Sequence, residues 1–281
     1  MFRRSAVLPI TPRVFALAFA LASSMLALSA TRADAQDREQ HRADAFTWSG
    51  TVPSGKRILI KNINGSIHVE HSSSGRVEVS AEKSWRRGNP DDVRIEQSKL
   101  DNDDVLVCAM WTADSRCDDR GVHQERSTKW NVRNDVSVKF TLRVPDGVRV
   151  DVSTVNGGLE VSGVTTDVKA STVNGSIDAR SAGGPVRAST VNGSIHVSMA
   201  TIGSAEDLEY SSVNGSVTIE LPASFGAQLD LSTVNGRVST DFPMTISGSI
   251  NPKHLRGTVG NGNTRFHVST VNGSITLRKI M

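Results

Sequence analysis

Val168-Lys-Ala-Ser-Thr-Val-Asn-Gly-Ser-Ile177-Asp-Ala-Arg180 is the stretch on which the fold turns. Val168, Ala170 and Thr172 are spaced i, i+2, as are Ile177 and Ala179, so each set shares one face of a strand. Asp167, Lys169, Ser171, Asp178 and Arg180 take the opposite face. Asn174-Gly175 stands between the two runs and is a strong turn signal. Glycine accepts positive backbone dihedrals without a Cβ clash, and asparagine accepts them better than most residues. The stretch reads strand, tight corner, strand.

The corner is repeated. Ser/Thr-Val-Asn-Gly stands at Thr154–Gly157, Thr172–Gly175, Thr190–Gly193, Ser212–Gly215, Thr233–Gly236 and Thr270–Gly273, and Ile63-Asn64-Gly65-Ser66-Ile67 is a relative. The corner pairs are therefore Asn64-Gly65, Asn156-Gly157, Asn174-Gly175, Asn192-Gly193, Asn214-Gly215, Asn235-Gly236 and Asn272-Gly273. From Asn156 onward the spacings are 18, 18, 22, 21 and 37, and Gly260-Asn261-Gly262-Asn263 sits in the long gap as a degenerate turn. A period this short leaves no room for a helix with its loops.

The class expected is all-β, a β-solenoid-like stack of short strands with Asn-Gly corners about 4.8 Å apart. Identical corners are what like-on-like stacking and asparagine ladders reward. A β-meander, with each Asn-Gly closing a two-residue hairpin, is the alternative. Either needs protected ends. The irregular N-terminal region is one candidate cap, and the end strand Ser274–Ile280, guarded by Arg278 and Lys279, is the other.

Working outward, residues 148–281 form the repeat region and 46–147 an N-terminal β region, together one continuous domain. Ile58 and Ile60, Ile67 and Val69, Val77 and Val79, Val93 and Ile95, and Val105 and Val107 mark strands. Val136, Val138, Phe140, Leu142 and Val144 make the clearest alternation, closed by the turn Pro145-Asp146-Gly147. The segment 108–134 reads as an insertion with many charges, Trp111 and Trp130. Cys108 and Cys117 are the chain's two cysteines, and a disulfide is expected between them in an exported protein. Trp111 and Trp130 are the contact candidates of this loop, with packing beneath it as the other reading.

Residues 1–35 read as a signal peptide. Arg3 and Arg4 open it, Val14 to Ala30 is mostly apolar, and Ala33-Asp34-Ala35 suits cleavage before Gln36. A retained membrane anchor is the rival, but the run falls short of the roughly 20 residues that span a bilayer. Residues 36–45 read as a flexible tail. The full chain has 32 Lys+Arg and 29 Asp+Glu, and loss of the leader leaves 28 of each. A net charge near zero gives no footprint for nucleic acid. The expectation is an exported protein of the periplasm or outer cell surface, with no transmembrane segment after cleavage.

The run Phe140-Thr-Leu-Arg-Val-Pro-Asp-Gly-Val-Arg-Val-Asp-Val-Ser-Thr-Val-Asn-Gly157 resembles the bacterial putative-adhesin family, a domain of unknown function with Thr-x-x-Gly-x-Ile β repeats. Leu221-Pro-Ala-Ser-Phe-Gly226 with Ser232–Gly236 matches its later coils, and Gly260–Asn263 with Ser269–Ile275 matches its end. The resemblance covers about residues 46–280 and is broken by the insertion. It implies a surface or envelope interaction.

Catalytic chemistry has few footholds. A carbohydrate-active solenoid needs clustered carboxylates. Asp151, Asp167, Asp178 and Asp230 are the candidates, and solubility of the outer face is their simpler role. His68 and His196 each follow the Ile after a corner, and His267 is out of phase, so no metal and no cofactor is expected. The Ser and Thr beside each corner read as hydrogen-bonding groups of corners and strands, with a flat polar binding ladder for glycans or another surface as the other reading. The function expected is a non-catalytic, adhesin-like interaction protein of the envelope or surface, whose partner is an envelope protein or a glycan. An envelope-stress or regulatory partner-binding protein is the alternative, and a carbohydrate-active enzyme the third reading.

Overall fold

Each repeat places one strand in each of two facing sheets. Val168–Asn174 enters an 11-stranded sheet, the chain turns at the Asn-Gly corner, and Ile177–Ser181 enters a 10-stranded sheet. The computed structural model describes residues 41–111, 114–124, 134–202, 207–246 and 251–280. Residues 42–281 form one compact unit.

Neighbouring coils pair in parallel with like on like. Asn156 is level with Asn174, Asn174 with Asn192, Asn192 with Asn214, Asn214 with Asn272, and Asn272 with Asn235. The second sheet keeps the same register, with Leu159 level with Ile177 and Ile177 with Ile195. The fold is therefore β-solenoid-like. The meander is overturned, because strands on either side of an Asn-Gly corner belong to different sheets.

The inward residues fill the space between the sheets. Val168, Ala170, Ile177 and Ala179 are buried, as are their equivalents along the stack. Toward the C-terminal end the core becomes aromatic: Phe266 packs on Tyr210 and Phe225, and Phe225 on Phe242, with ring centroids 5.2–5.4 Å apart. Such tilted and edge-on pairs suit the ring quadrupoles.

The C-terminal end differs from the expectation, while the N-terminal region does form the other end. Ile275–Lys279 does not guard an edge. It lies between Val217–Leu221 and Val238–Thr240, so the last coil in sequence is inserted before the penultimate one in space. The 11-stranded sheet is closed at this end by antiparallel His254–Val259 and Thr245–Ile246. At the other end antiparallel strands take over. Arg94–Lys99 pairs with Val105–Met110, and Val77–Trp85 with Ser137–Val144, with His41–Gly50 outermost. That last strand begins at His41, so residues 41–45, expected as tail, are extended in a sheet.

Among the described residues of the insertion, Ser115–Asp118 and Gly121–Gln124 form a hairpin. Cys117 is joined to Cys108, which lies on the Val105–Met110 strand. A second small core forms there, with Leu59, Leu106, Cys108 and Met110 against Leu100, Cys117 and Val122. Leu59 faces away from Ile58 and Ile60, so this cluster is on the outside of the 11-stranded sheet. Hence Val105–Met110 is buried on both faces.

Candidate functional site

The corner residues divide into three roles. Thr154, Thr172, Thr190, Ser212, Thr233 and Thr270 point inward and are buried. Each hydroxyl donates to the carbonyl of a corner glycine one coil away, for example Thr172 to Gly157 at 2.9 Å, Thr190 to Gly175 at 2.9 Å and Ser212 to Gly193 at 3.0 Å. Thr270 follows onto Gly215, and Thr233 onto Gly273. In the first coil Asn62 fills this place, and its amide donates to Gly65 O and Val138 O. Each such bond contributes about 1 kcal/mol net, and losing one strands a polar group.

The asparagines form a continuous amide ladder. Asn174 Nδ2 donates to Asn156 Oδ1, Asn192 to Asn174, and Asn214 to Asn192, each at 2.8 Å. Asn272 donates to Asn214 at 2.7 Å, and Asn235 to Asn272 at 2.8 Å. Like residues stack because an amide both donates and accepts.

The glycines are needed for a reason other than turn dihedrals. Among the seven corner glycines only Gly65 has a positive φ, of 120°. At the others a Cβ would overlap the carbonyl of the glycine one coil away, as Gly193 would with Gly175 O. Close stacking of corners, not left-handed backbone, selects glycine here.

The valine of the phrase faces solvent. Seven large hydrophobic residues are exposed among the described residues; six of them are Val155, Val173, Val191, Val213, Val271 and Val234. Alternation already demanded this: Thr172 shares the inward face of Val168 and Ala170, so Val173 faces out. One step inward on the same outer face runs a serine row, Ser153, Ser171, Ser189, Ser211, Ser269 and Ser232. The result is an uncharged surface of three parallel rows, Ser, Val and Asn, with rungs about 4.8 Å apart. Strand propensity alone would accept threonine at the exposed position, yet all six places hold valine. The valines thus form a continuous apolar stripe bounded by polar rows.

The disulfide hairpin stands at one end of this face. Ser153 is level with Lys61, and Lys61 with Cys108. Lys61 Nζ meets Asp151 Oδ1 at 3.0 Å, and both residues are buried. Asp151 is thus a partner in a buried pair and not a solubilising group. Asp104 is nearly sealed and bound by Arg57, whose backbone N and Nε both donate at 2.8 Å. Burial pushes the Asp104 carboxyl up, but the Arg57 hydrogen bonds outweigh it and hold the group below its ordinary value.

The other expected residues fall as follows. Trp111 is half-buried, packs against the main core, and donates from Nε1 to Val136 O at 3.3 Å. It belongs to the core between the sheets and not to the outer cluster beneath the hairpin. Trp130 lies outside the described residues. His68 and His196 do belong to one row, with Glu160 and Asp178 between them. His68 Nδ1 lies 3.2 Å from Glu160, and His196 Nδ1 3.3 Å from Asp178. Asp230 pairs with His254 at 2.9 Å and Arg256 at 3.1 Å. Asp167 pairs with Arg149 and Arg187. No cluster of three or more metal-ligating side chains with metal-holding geometry occurs among the described residues. Nor is any helix there long and apolar enough to cross a membrane.

A family model described as Toastrack DUF4097 matches residues 52–278. No curated protein matches the chain. Among solved structures, a putative cell adhesion protein from Clostridium sporogenes ATCC 15579 is similar at 10% identity. The match covers 86% of this chain and 100% of that one, with a TM-score of 0.51. A putative adhesin from Bacteroides fragilis NCTC 9343 is matched at 14% identity over 85% and 97% of the two chains, with a TM-score of 0.32.

Proposed function

The chain belongs to the Toastrack DUF4097 family, and from that premise we propose that it is an exported, non-catalytic interaction module of the cell envelope that binds an uncharged glycan on its Ser-Val-Asn face. The observation that carries this reading is the exposed valine ladder with its flanking hydroxyl and amide rows. A neutral, hydroxyl-rich, extended polymer complements such a surface. Its hydroxyls pair with Ser and Asn, its C–H faces lie on Val, and it has no charge to desolvate. Repetition at a fixed spacing adds weak contacts into avidity, as linked sites do. The hairpin would then stop the polymer at one end of the face.

The test is co-sedimentation of the purified oxidised protein with insoluble envelope glycan. Val191→Asp in the middle of the ladder is expected to cut the bound fraction at least tenfold while leaving the circular dichroism spectrum unchanged. Equal sedimentation of both forms overturns the reading. Release of new reducing ends from the glycan would instead support the carbohydrate-active alternative.

A further inference from the structure

Along the 10-stranded sheet the serine after the corner glycine is replaced at two coils, and at one of them a cavity opens. After the corner glycine, five coils carry Ser66, Ser176, Ser194, Ser216 and Ser274, the coil of Gly236 carries the larger Arg237, and the second coil alone carries a residue without a side chain, Gly158. Ile67 N donates to Gly158 O, and Leu159 N to Ser176 O, so Gly158 is level with Ser66 and Ser176. Without a side chain at this point the row has a notch. Around it lies an open cavity of about 540 Å³ lined by Lys139, Ser66, Gly158, Glu160, Asp178 and Arg180, among others.

Its charges are separated. Lys139 precedes Phe140, whose N donates to Ser66 O, so Lys139 stands on the Ser66 side of the notch. It makes no ion pair among the described residues. Beyond the notch lie the carboxylates of Glu160, level with Asp178 on the next strand. Asp178 is partly offset by Arg180 at 3.5 Å and by His196. Glu160 is mostly exposed and meets only the His68 ring, at 3.2 Å. The cavity therefore has a cation at one end, an under-compensated carboxylate at the other, and between them a floor that lacks a side chain at Gly158.

We propose that this notch binds a short peptide with a free N-terminus and a free C-terminus. The peptide carboxylate meets Lys139 and its ammonium meets Glu160 and Asp178, with the backbone lying over Gly158. The size fits: the Lys139 and Glu160 backbones are two strand spacings and two residues apart, about 12 Å, and an extended tripeptide of about 10 Å spans this with the reach of the two side chains. The site is on the sheet opposite the Ser-Val-Asn face and does not depend on the glycan reading.

The experiment titrates tri-alanine into the oxidised full chain, followed by calorimetry and by amide shifts at Gly158 and its neighbours. N-acetyl-tri-alanine and tri-alanine amide each remove one terminal charge. Both are expected to bind at least tenfold more weakly, as is tri-alanine with Lys139→Gln or Glu160→Gln. Gly158→Ser is the decisive variant, because it restores the row without a clash: a Cβ there meets nothing closer than Ser176 O at 3.4 Å. It is expected to keep the melting temperature and lose the binding. Equal affinity for the capped peptides, unchanged binding by Gly158→Ser, or no saturable binding at about 1 mM peptide overturns the proposal.

Discussion

The repeat coils and the N-terminal end solve the same problem with different chemistry. Along the corner from Asn156 to Asn235, buried or stacked polar groups are satisfied by neutral partners one coil away: Thr on Gly, Asn on Asn. Around Arg57–Met110, where the repeat stops, the polar groups are satisfied by ions. Arg57 pairs with Asp104, Lys61 with Asp151, and a disulfide holds a hairpin over Leu59 and Leu106. A stack of like coils offers every group a copy of itself as partner. An end has no such copy, so specific pairs replace it. The corner should therefore respond to sterics and not to pH, and the N-terminal end should do the reverse.

The largest expected effect comes from crowding the ladder. Gly193→Ala would drive a methyl group into the Gly175 carbonyl, backbone on backbone, with no flexible side chain to yield. The cost is expected to exceed about 4 kcal/mol, the range of the severest single substitutions. Gly158→Ala, at a glycine of the same stack where a Cβ makes only an ordinary contact with Ser176 O at 3.4 Å, should stay within about 0.5 kcal/mol of the parent. Chemical denaturation of both variants checks this. Equal costs would mean that glycine is needed along the stack for backbone freedom, and the stacking account would fail.

Acid should separate the two regions next. The Asp104 carboxyl is held below its ordinary value, so its contribution is complete above the unfolded carboxylate pKa of about 3.9 and is lost as pH falls through the lower, folded value. Asp104→Asn should cost about 2 kcal/mol at neutral pH, less than a fully buried pair because Arg57 remains partly in water. The variant should also lose part of the acid dependence. Hydrogen exchange below pH 4 should show the strands around Ile58 and Val105 opening while the amides of the asparagine corners stay protected. Simultaneous opening of both would show that the end and the ladder unfold as one unit.

The sequence makes the ladder legible and the ends not, for the same reason. A repeat displays its own register, so Asn156, Asn174 and Asn192 could be stacked on paper. The strict i, i+2 pattern likewise put Val168 and Ala170 inside. Insertion of the Ile275–Lys279 strand before Val238–Thr240 leaves no local trace, because it depends on which coil pairs with which. The buried state of Asp151 was hidden too, since its equivalent Asp230 stays partly exposed and only the partner Lys61, 90 residues away, distinguishes them. The corner glycines carry a familiar signal for a different physical reason. Asn-Gly signals a positive dihedral in hairpins, but here the demand for glycine comes from the neighbouring coil.

The smallest effect tests the division of labour inside one corner. Thr190 and Val191 are adjacent, similar in shape, and face opposite ways. Thr190→Val keeps the volume and removes the donor to Gly175 O, so it should cost about 1 kcal/mol. Val191→Thr places a hydroxyl in water and should change stability by less than about 0.5 kcal/mol. If the exposed stripe exists for strand propensity, Val191→Thr is silent in every assay, since threonine is also a good strand former. If it exists for binding, the variant folds normally yet binds glycan more weakly, and additional Val→Thr changes at Val173 and Val213 deepen the loss in step. The graded loss at constant stability is the outcome expected, because a periodic surface contributes its affinity rung by rung.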